Sequence, residues 1–177
     1  MSDQPDEASW LGRLLESDID LSARLEVPPG PLRFLALVVA HSGDSPLWVA
    51  GGVAAILFGG ELGRVFGLRA LIATIVAGVI ASLLKQVFRR SRPAESFGAL
   101  YSEALDRHAF PSAHAARAGC VVVALSPLLP SWGIGLLAVW AGAVCLARVA
   151  LQVHYLLDVS AGLILGTTIG AVLLLVL

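Results

Sequence analysis

A chain of 177 residues with 57% hydrophobic and only 14% charged residues, and a mean hydropathy of +0.83, has too little polar side chain to cover a water-soluble domain. The formal net charge of -1 provides no basic field for a nucleic acid, so attraction for any anion must be built locally. Cys120 and Cys145 both fall in apolar stretches and read as small core residues that carry no information about redox compartment.

The first residues do not read as a secretory leader, because Asp3, Asp6 and Glu7 replace the basic segment and no apolar core follows. From Ser9 to Val27, apolar positions (Trp10, Leu14, Leu15, Ile19, Leu21, Leu25) alternate with Arg13, Glu16, Asp18, Asp20, Arg24 and Glu26. That spacing predicts an amphipathic helix lying on the membrane surface, since its charges could not enter hydrocarbon cheaply. Pro28-Pro29-Gly30-Pro31 ends it. Leu32 to Ala40 is apolar but only about 15 Å long as a helix, half a bilayer core, which predicts a tilted or re-entrant piece. His41-Ser42-Gly43-Asp44 then turns the chain, with Asp44 or Ser45 as N-cap and Pro46 in the first helical turn.

Beyond the turn lie about five candidate spans, roughly 46–62, 68–89, 112–130, 132–152 and 155–177, broken at Gly63-Arg64, at Pro127 and Pro130, and at polar clusters. The expected architecture is all-α: a polytopic membrane helix bundle, with residues 1–44 as an interfacial segment and 45–177 as the transmembrane domain. On the last span Gly162, Gly166 and Gly170 recur every four residues and let a neighbour approach closely, within the chain by preference or at a homodimer seam as the alternative.

Ionisable residues interrupt the apolar background in three places: Lys85 with Arg92-Pro93, Pro111-Ser112-Ala113-His114, and Arg148 with His154 and Asp158. Counting spans places all of them at one side of the membrane. Intramembrane charges cost about 2.5–3.5 kcal/mol each on insertion scales, so a set gathered at one depth implies a function. His154 and Asp158 are four apart, which on a helix would let the carboxylate hold one imidazole nitrogen while the other faces a substrate. Lys85 and Arg89 share a face in the same way, although Pro93 pushes Arg92 out of helical geometry. Pro111-Ser112 opens a helix whose free N–H groups favour an anion, and His114 in its first turn could protonate a leaving oxygen. The plainer alternative is that Lys85 and Arg92 snorkel at a helix end while His154 and Asp158 merely cap one.

These blocks resemble the signature of the type 2 phosphatidic acid phosphatase family, the membrane lipid phosphatase branch of the vanadium haloperoxidase-like superfamily. The family pattern is Lys-x6-Arg-Pro, Pro-Ser-Gly-His and Ser-Arg-x5-His-x3-Asp, and the spacing matches in all three blocks from about Leu68 onward. Ala113 replaces the family glycine and Ala147 the family serine. The resemblance implies His154 as the nucleophile of a phosphohistidine intermediate, Asp158 as the holder of its tautomer, and His114 as the acid and then the base. Lys85, Arg92, Ser112, Ala113 and Arg148 would bind the phosphate, with neither metal nor other cofactor.

Around that centre, Arg89 and Arg117 are candidate headgroup contacts, Arg90 and Arg107 are expected at lipid headgroups, and His108 in the 94–110 loop reads as a solvated or lid residue. His41 with Asp44 reads as a turn pair, and Trp10, Trp48, Trp132 and Trp140 as interface anchors. The expected function is a metal-independent phosphoric monoester hydrolase acting on a lipid such as phosphatidate, phosphatidylglycerol phosphate or a polyprenyl (di)phosphate, in a prokaryotic cell membrane. The partners are the bilayer and the lipid substrate. A haloperoxidase holding vanadate, and an inactive membrane scaffold or transporter, are the competing classes. Arginines flanking the spans lean toward a cytoplasmic site, while the resemblance leans outward.

Overall fold

The computed structural model describes residues 10–93 and 108–176, and among them every regular element is helical. In chain order the helices are α1 (Trp10–Ala23), α2 (Pro31–His41), α3 (Ser45–Phe58), α4 (Gly60–Phe88), α5 (Ala113–Leu125), α6 (Ser131–Ala150) and α7 (Leu156–Leu174), with a 3₁₀ turn at Ser126–Leu128. Helices α4, α6 and α7 are long and apolar enough to cross a membrane, and α2, α3 and α5 are shorter apolar helices. In lipid every backbone polar group must be satisfied within the protein, and helices do this segment by segment. The chain is an integral membrane helix bundle.

Two expected boundaries move. No break occurs at Gly63-Arg64: α4 runs unbroken for 29 residues, and the chain reverses instead at Gly59-Gly60, where Gly60 takes the left-handed φ of 63°. Arginine near a helix end can snorkel, so Arg64 did not require a loop. The 112–130 span is also shorter than expected, since Ser126-Pro127 converts the end of α5 into the 3₁₀ turn.

Helix α5 is the centre of the bundle and packs against α4, α6 and α7. Its exposed-free character follows from its small residues: Ala113, Ala115, Ala116, Ala118 and Gly119 are all buried and allow neighbouring backbones to come close. The stripe of Gly162, Gly166 and Gly170 on α7 faces it, and a Cβ on Gly166 would collide with the carbonyl oxygen of Ala116. The stripe therefore serves packing within the chain, the preferred of the two readings.

Helix α1 touches the rest of the protein through two polar residues. Trp10, Leu11, Leu14, Leu15 and Ile19 are exposed, while Asp18 and Ser22, one turn apart, are the residues it buries. Arg13, Glu16, Ser17 and Asp20 are exposed as well, so the helix docks on the protein through Asp18 and Ser22 while its apolar residues face outward. Trp10 and Trp132 are exposed, as interface anchors would be. Trp48 and Trp140 are not anchors: their rings pack 5.0 Å apart, and both indole N–H groups donate to Ser42, one to its carbonyl and one to its hydroxyl. They pin the α2–α3 turn.

Gly166→Ala should destabilise the bundle by about 1–3 kcal/mol, the usual range for overpacking. A thermal melt of the detergent-solubilised variant would show a lowered midpoint.

Candidate active site

The polar blocks converge at one end of the bundle. Lys85 comes from the last turn of α4, Ser112 and His114 from the start of α5, Arg148 from the last turn of α6, and Asp158 from the first turn of α7. Lys85, Ser112, His114, Arg148, His154 and Asp158 are all buried, and Arg92 is half-buried. Arg148, Lys85 and Arg92 all lie close enough to His154 to act on its charge. Burial first, then these three cations, pushes the His154 imidazole pKa well below its ordinary value. The ring is neutral and keeps a lone pair in a strongly positive cradle.

His154 precedes α7 rather than riding on it, which corrects the helix-face argument for its pairing with Asp158. Tyr155 is the N-cap, and Asp158 at the third position of the helix returns to accept the Tyr155 N–H at 2.8 Å through Oδ2. His154 Nδ1 stands 3.6 Å from the same oxygen, and neither ring nitrogen makes a hydrogen bond. Asp158 is thus both a cap and the carboxylate behind the imidazole. Because Nδ1 faces Asp158, Nε2 is the nitrogen turned the other way.

The residue that fixes Asp158 was not among the expected site residues. Arg90, expected at lipid headgroups, donates from Nη1 to Asp158 Oδ1 and from Nη2 to Asp18 Oδ2, each at 2.7 Å, and its guanidinium lies 4.2 Å over the Tyr155 ring. Its carbonyl accepts the N–H of Ala109 at 2.8 Å. This follows from how α4 stops: Arg89 takes a left-handed φ of 49° as the C-cap, turning the chain so that Arg90 points inward. Arg89 is exposed and bends back to the Gln86 carbonyl at 2.9 Å, so it does not continue the Lys85 face into the site.

Asp18 and Ser22 of α1 complete the arrangement by accepting the N–H groups of Leu157 and Leu156, each at 2.9 Å. Those amides belong to the first turn of α7 and have no partner within that helix. One helix caps another, which explains why α1 buries Asp18 and Ser22. An amphipathic pattern alone could not distinguish Asp18 from Asp20 or Glu16.

Ser112 acts first as the N-cap of α5: its hydroxyl accepts from Ala115 at 3.5 Å, and its own N–H donates to the Asp158 carbonyl at 2.9 Å. Ala113 begins the helix, where the positive end of the dipole favours an anion. His114 Nε2 lies 2.6 Å from Asp44 Oδ1, and His41 Nδ1 lies 2.8 Å from Asp44 Oδ2. Burial alone would raise the Asp44 carboxyl, but hydrogen bonds from His114 and His41 outweigh it and hold the group below the usual carboxylate range. The expected turn pair is a three-residue contact with the site. Arg117, one turn beyond His114, lines a groove of about 360 Å³ with Ser45, Val49, Thr74, Val79 and Leu83. His108 is partly buried, and Arg107 lies outside the described residues.

A family model described as the PAP2 superfamily matches residues 66–177. The chain is 35% identical over 97 residues to decaprenylphosphoryl-5-phosphoribose phosphatase of Mycobacterium tuberculosis, covering 55% of this chain and 53% of that protein. It is 33% identical over 105 residues to a lipid A 1-phosphatase of Rhizobium etli, covering 54% and 44%. The chain thus spans about half the length of these curated relatives. Among solved structures, the transmembrane PAP2 type phosphatidylglycerolphosphate phosphatase of Bacillus subtilis superimposes with a TM-score of 0.70 at 26% identity, covering 90% of this chain and 84% of that one.

Arg90→Gln would leave the buried carboxylates of Asp18 and Asp158 without their shared cation, a loss of about 3–5 kcal/mol for a broken buried pair. Thermal unfolding should show that loss, and Arg90→Lys should recover only part of it, because an ammonium cannot bridge two carboxylates in a fixed fork.

Proposed function

The chain belongs to the PAP2 superfamily, and on that premise we propose that it is a metal-independent phosphatase of a membrane lipid phosphate ester, working through a phosphohistidine at His154. The observation that carries this reading is a buried His154 imidazole within electrostatic reach of Lys85, Arg92 and Arg148, with the Asp158 carboxylate 3.6 Å behind it. Cations placed around a phosphoryl group stabilise the charge that spreads over its equatorial oxygens, and a desolvated site makes each of them count for more. The α5 N-terminus, with Ser112 and Ala113, adds its dipole to the same anion.

In the first step the Nε2 lone pair of His154 attacks phosphorus as the bond to the lipid oxygen breaks, and His114 gives that oxygen a proton. Asp158 stabilises the charge that appears on the imidazole. In the second step His114 takes a proton from water as the water attacks phosphorus, the P–N bond breaks, and inorganic phosphate leaves. His154 returns to its neutral form. One chain supplies every group named, so the reaction needs no second copy.

The groove lined by Arg117 supports a lipid substrate, because an apolar chain can lie along Val49, Val79 and Leu83 while the headgroup stays near Arg117 and Ser45. The named relatives act on isoprenoid-linked, lipid A and glycerol phospholipid phosphates, so the shared chemistry is a phosphate ester carried at the membrane surface. A phosphate-release panel of purified protein against such lipids in detergent tests the reading and selects the lipid.

His154→Gln should abolish turnover with the thermal midpoint kept within a few degrees; retention of more than about a tenth of wild-type activity would remove the nucleophile assignment. Wild-type activity should persist in excess EDTA and fall with vanadate, which mimics five-coordinate phosphorus. Loss on chelation with recovery in magnesium would instead mean a metal-assisted reaction.

A further inference from the structure

The α2–α3 turn, which precedes the residues matched by the family model, reaches into the site. Asp44 occupies the N-cap position of α3 but makes no capping hydrogen bond with its side chain. Its carboxylate spans two imidazoles instead, His114 on one oxygen and His41 on the other. The turn is held by Trp48 and Trp140 through Ser42, and it sits so near the site that a Cβ on Gly43 would lie 2.9 Å from Val144 Cγ1 and 3.6 Å from His114 Cδ2. A carboxylate so placed is fixed from both sides.

An ionised carboxylate only accepts hydrogen bonds, so the imidazole atoms facing it, Nε2 of His114 and Nδ1 of His41, both donate. We propose that Asp44, steadied by His41, is the positioning residue of His114: it keeps a proton on Nε2 and thereby assigns Nδ1 to the proton transfers of the reaction. The proposal rests on the hydrolase reading above. In the first step the Nδ1 proton passes to the lipid oxygen as the P–O bond breaks, leaving a neutral ring whose Nε2–H still donates to Asp44. In the second step Nδ1 accepts the proton of the attacking water.

The two carboxylates serve the two histidines differently. Asp158 shares its charge with Arg90, while burial and the nearby cations favour the neutral form of the His154 ring. Asp44 lies between imidazoles and holds the Nε2 proton of His114, which leaves Nδ1 as the nitrogen that exchanges one with substrate and water.

The test compares an alkyl phosphate ester with a p-nitrophenyl ester on purified full-length protein in detergent, since the second leaving group needs no proton. Asp44→Asn, which keeps size and removes charge, should slow the alkyl ester about 100-fold, with a loss on the aryl ester at least about tenfold smaller. Vanadate inhibition should stay within about threefold of wild type, and in a His114→Ala background Asp44→Asn should add less than about threefold. Equal losses on both esters, a matching loss of vanadate inhibition, or an alkyl rate within about threefold of wild type would each overturn the proposal. Wild-type protein that releases phosphate from neither these esters nor any lipid phosphate would overturn the hydrolase reading itself, a separate and distinguishable result.

Discussion

The guanidinium of Arg90 between the buried carboxylates of Asp18 and Asp158 is the interaction on which the rest of the structure depends. Burying any of these charges alone would cost several kcal/mol, so the three are stable only together. Their union joins the N-terminal helix, the end of α4 and the start of α7, segments 72 and 68 positions apart from the arginine. With Tyr155 stacked against the same guanidinium and Asp158 returning to the Tyr155 N–H, the residues on either side of His154 have little freedom. For the nucleophile proposed here, such restraint means little reorganisation before attack.

Charge in the site is arranged by contrast rather than by amount. Lys85, Arg92 and Arg148 make the surroundings of His154 positive, which opposes protonation of the ring and welcomes a phosphate dianion. A carboxylate lies beside each imidazole, Asp44 at His114 and Asp158 at His154. Arg90 compensates one carboxylate, and two imidazoles share the other.

Packing sets the depth at which this chemistry sits. Small residues on α5 and the glycine stripe of α7 bring the two helices close enough for the Ser112 N–H to donate to the Asp158 carbonyl, linking the block that carries His114 to the block that carries His154. Larger residues on the glycine stripe would collide with the α5 backbone at Ser112, Ala116 and Cys120. On the outer side, the groove beside Arg117 is walled by apolar residues of α3 and α4 such as Val49, Val79 and Leu83.

The sequence alone determined the membrane setting, the all-helical class and the cluster of Lys85, Arg92, His114, Arg148, His154 and Asp158, because composition and short spacings are local properties that a helical period makes readable. It also placed Asp44 or Ser45 at the start of α3 and the glycine stripe on one face of α7. Only the tertiary structure decided that Arg90 turns inward while Arg89 turns out, since that depends on one left-handed residue at the end of α4. It likewise chose Asp18 from several acidic residues of α1, put Trp48 and Trp140 on Ser42 instead of at an interface, and joined Asp44 to His114 across 70 positions. Most of these outcomes are contacts between distant segments, whose partners are fixed by how helices pack and by the need to pair buried charges, and neither constraint leaves a periodic trace in the chain.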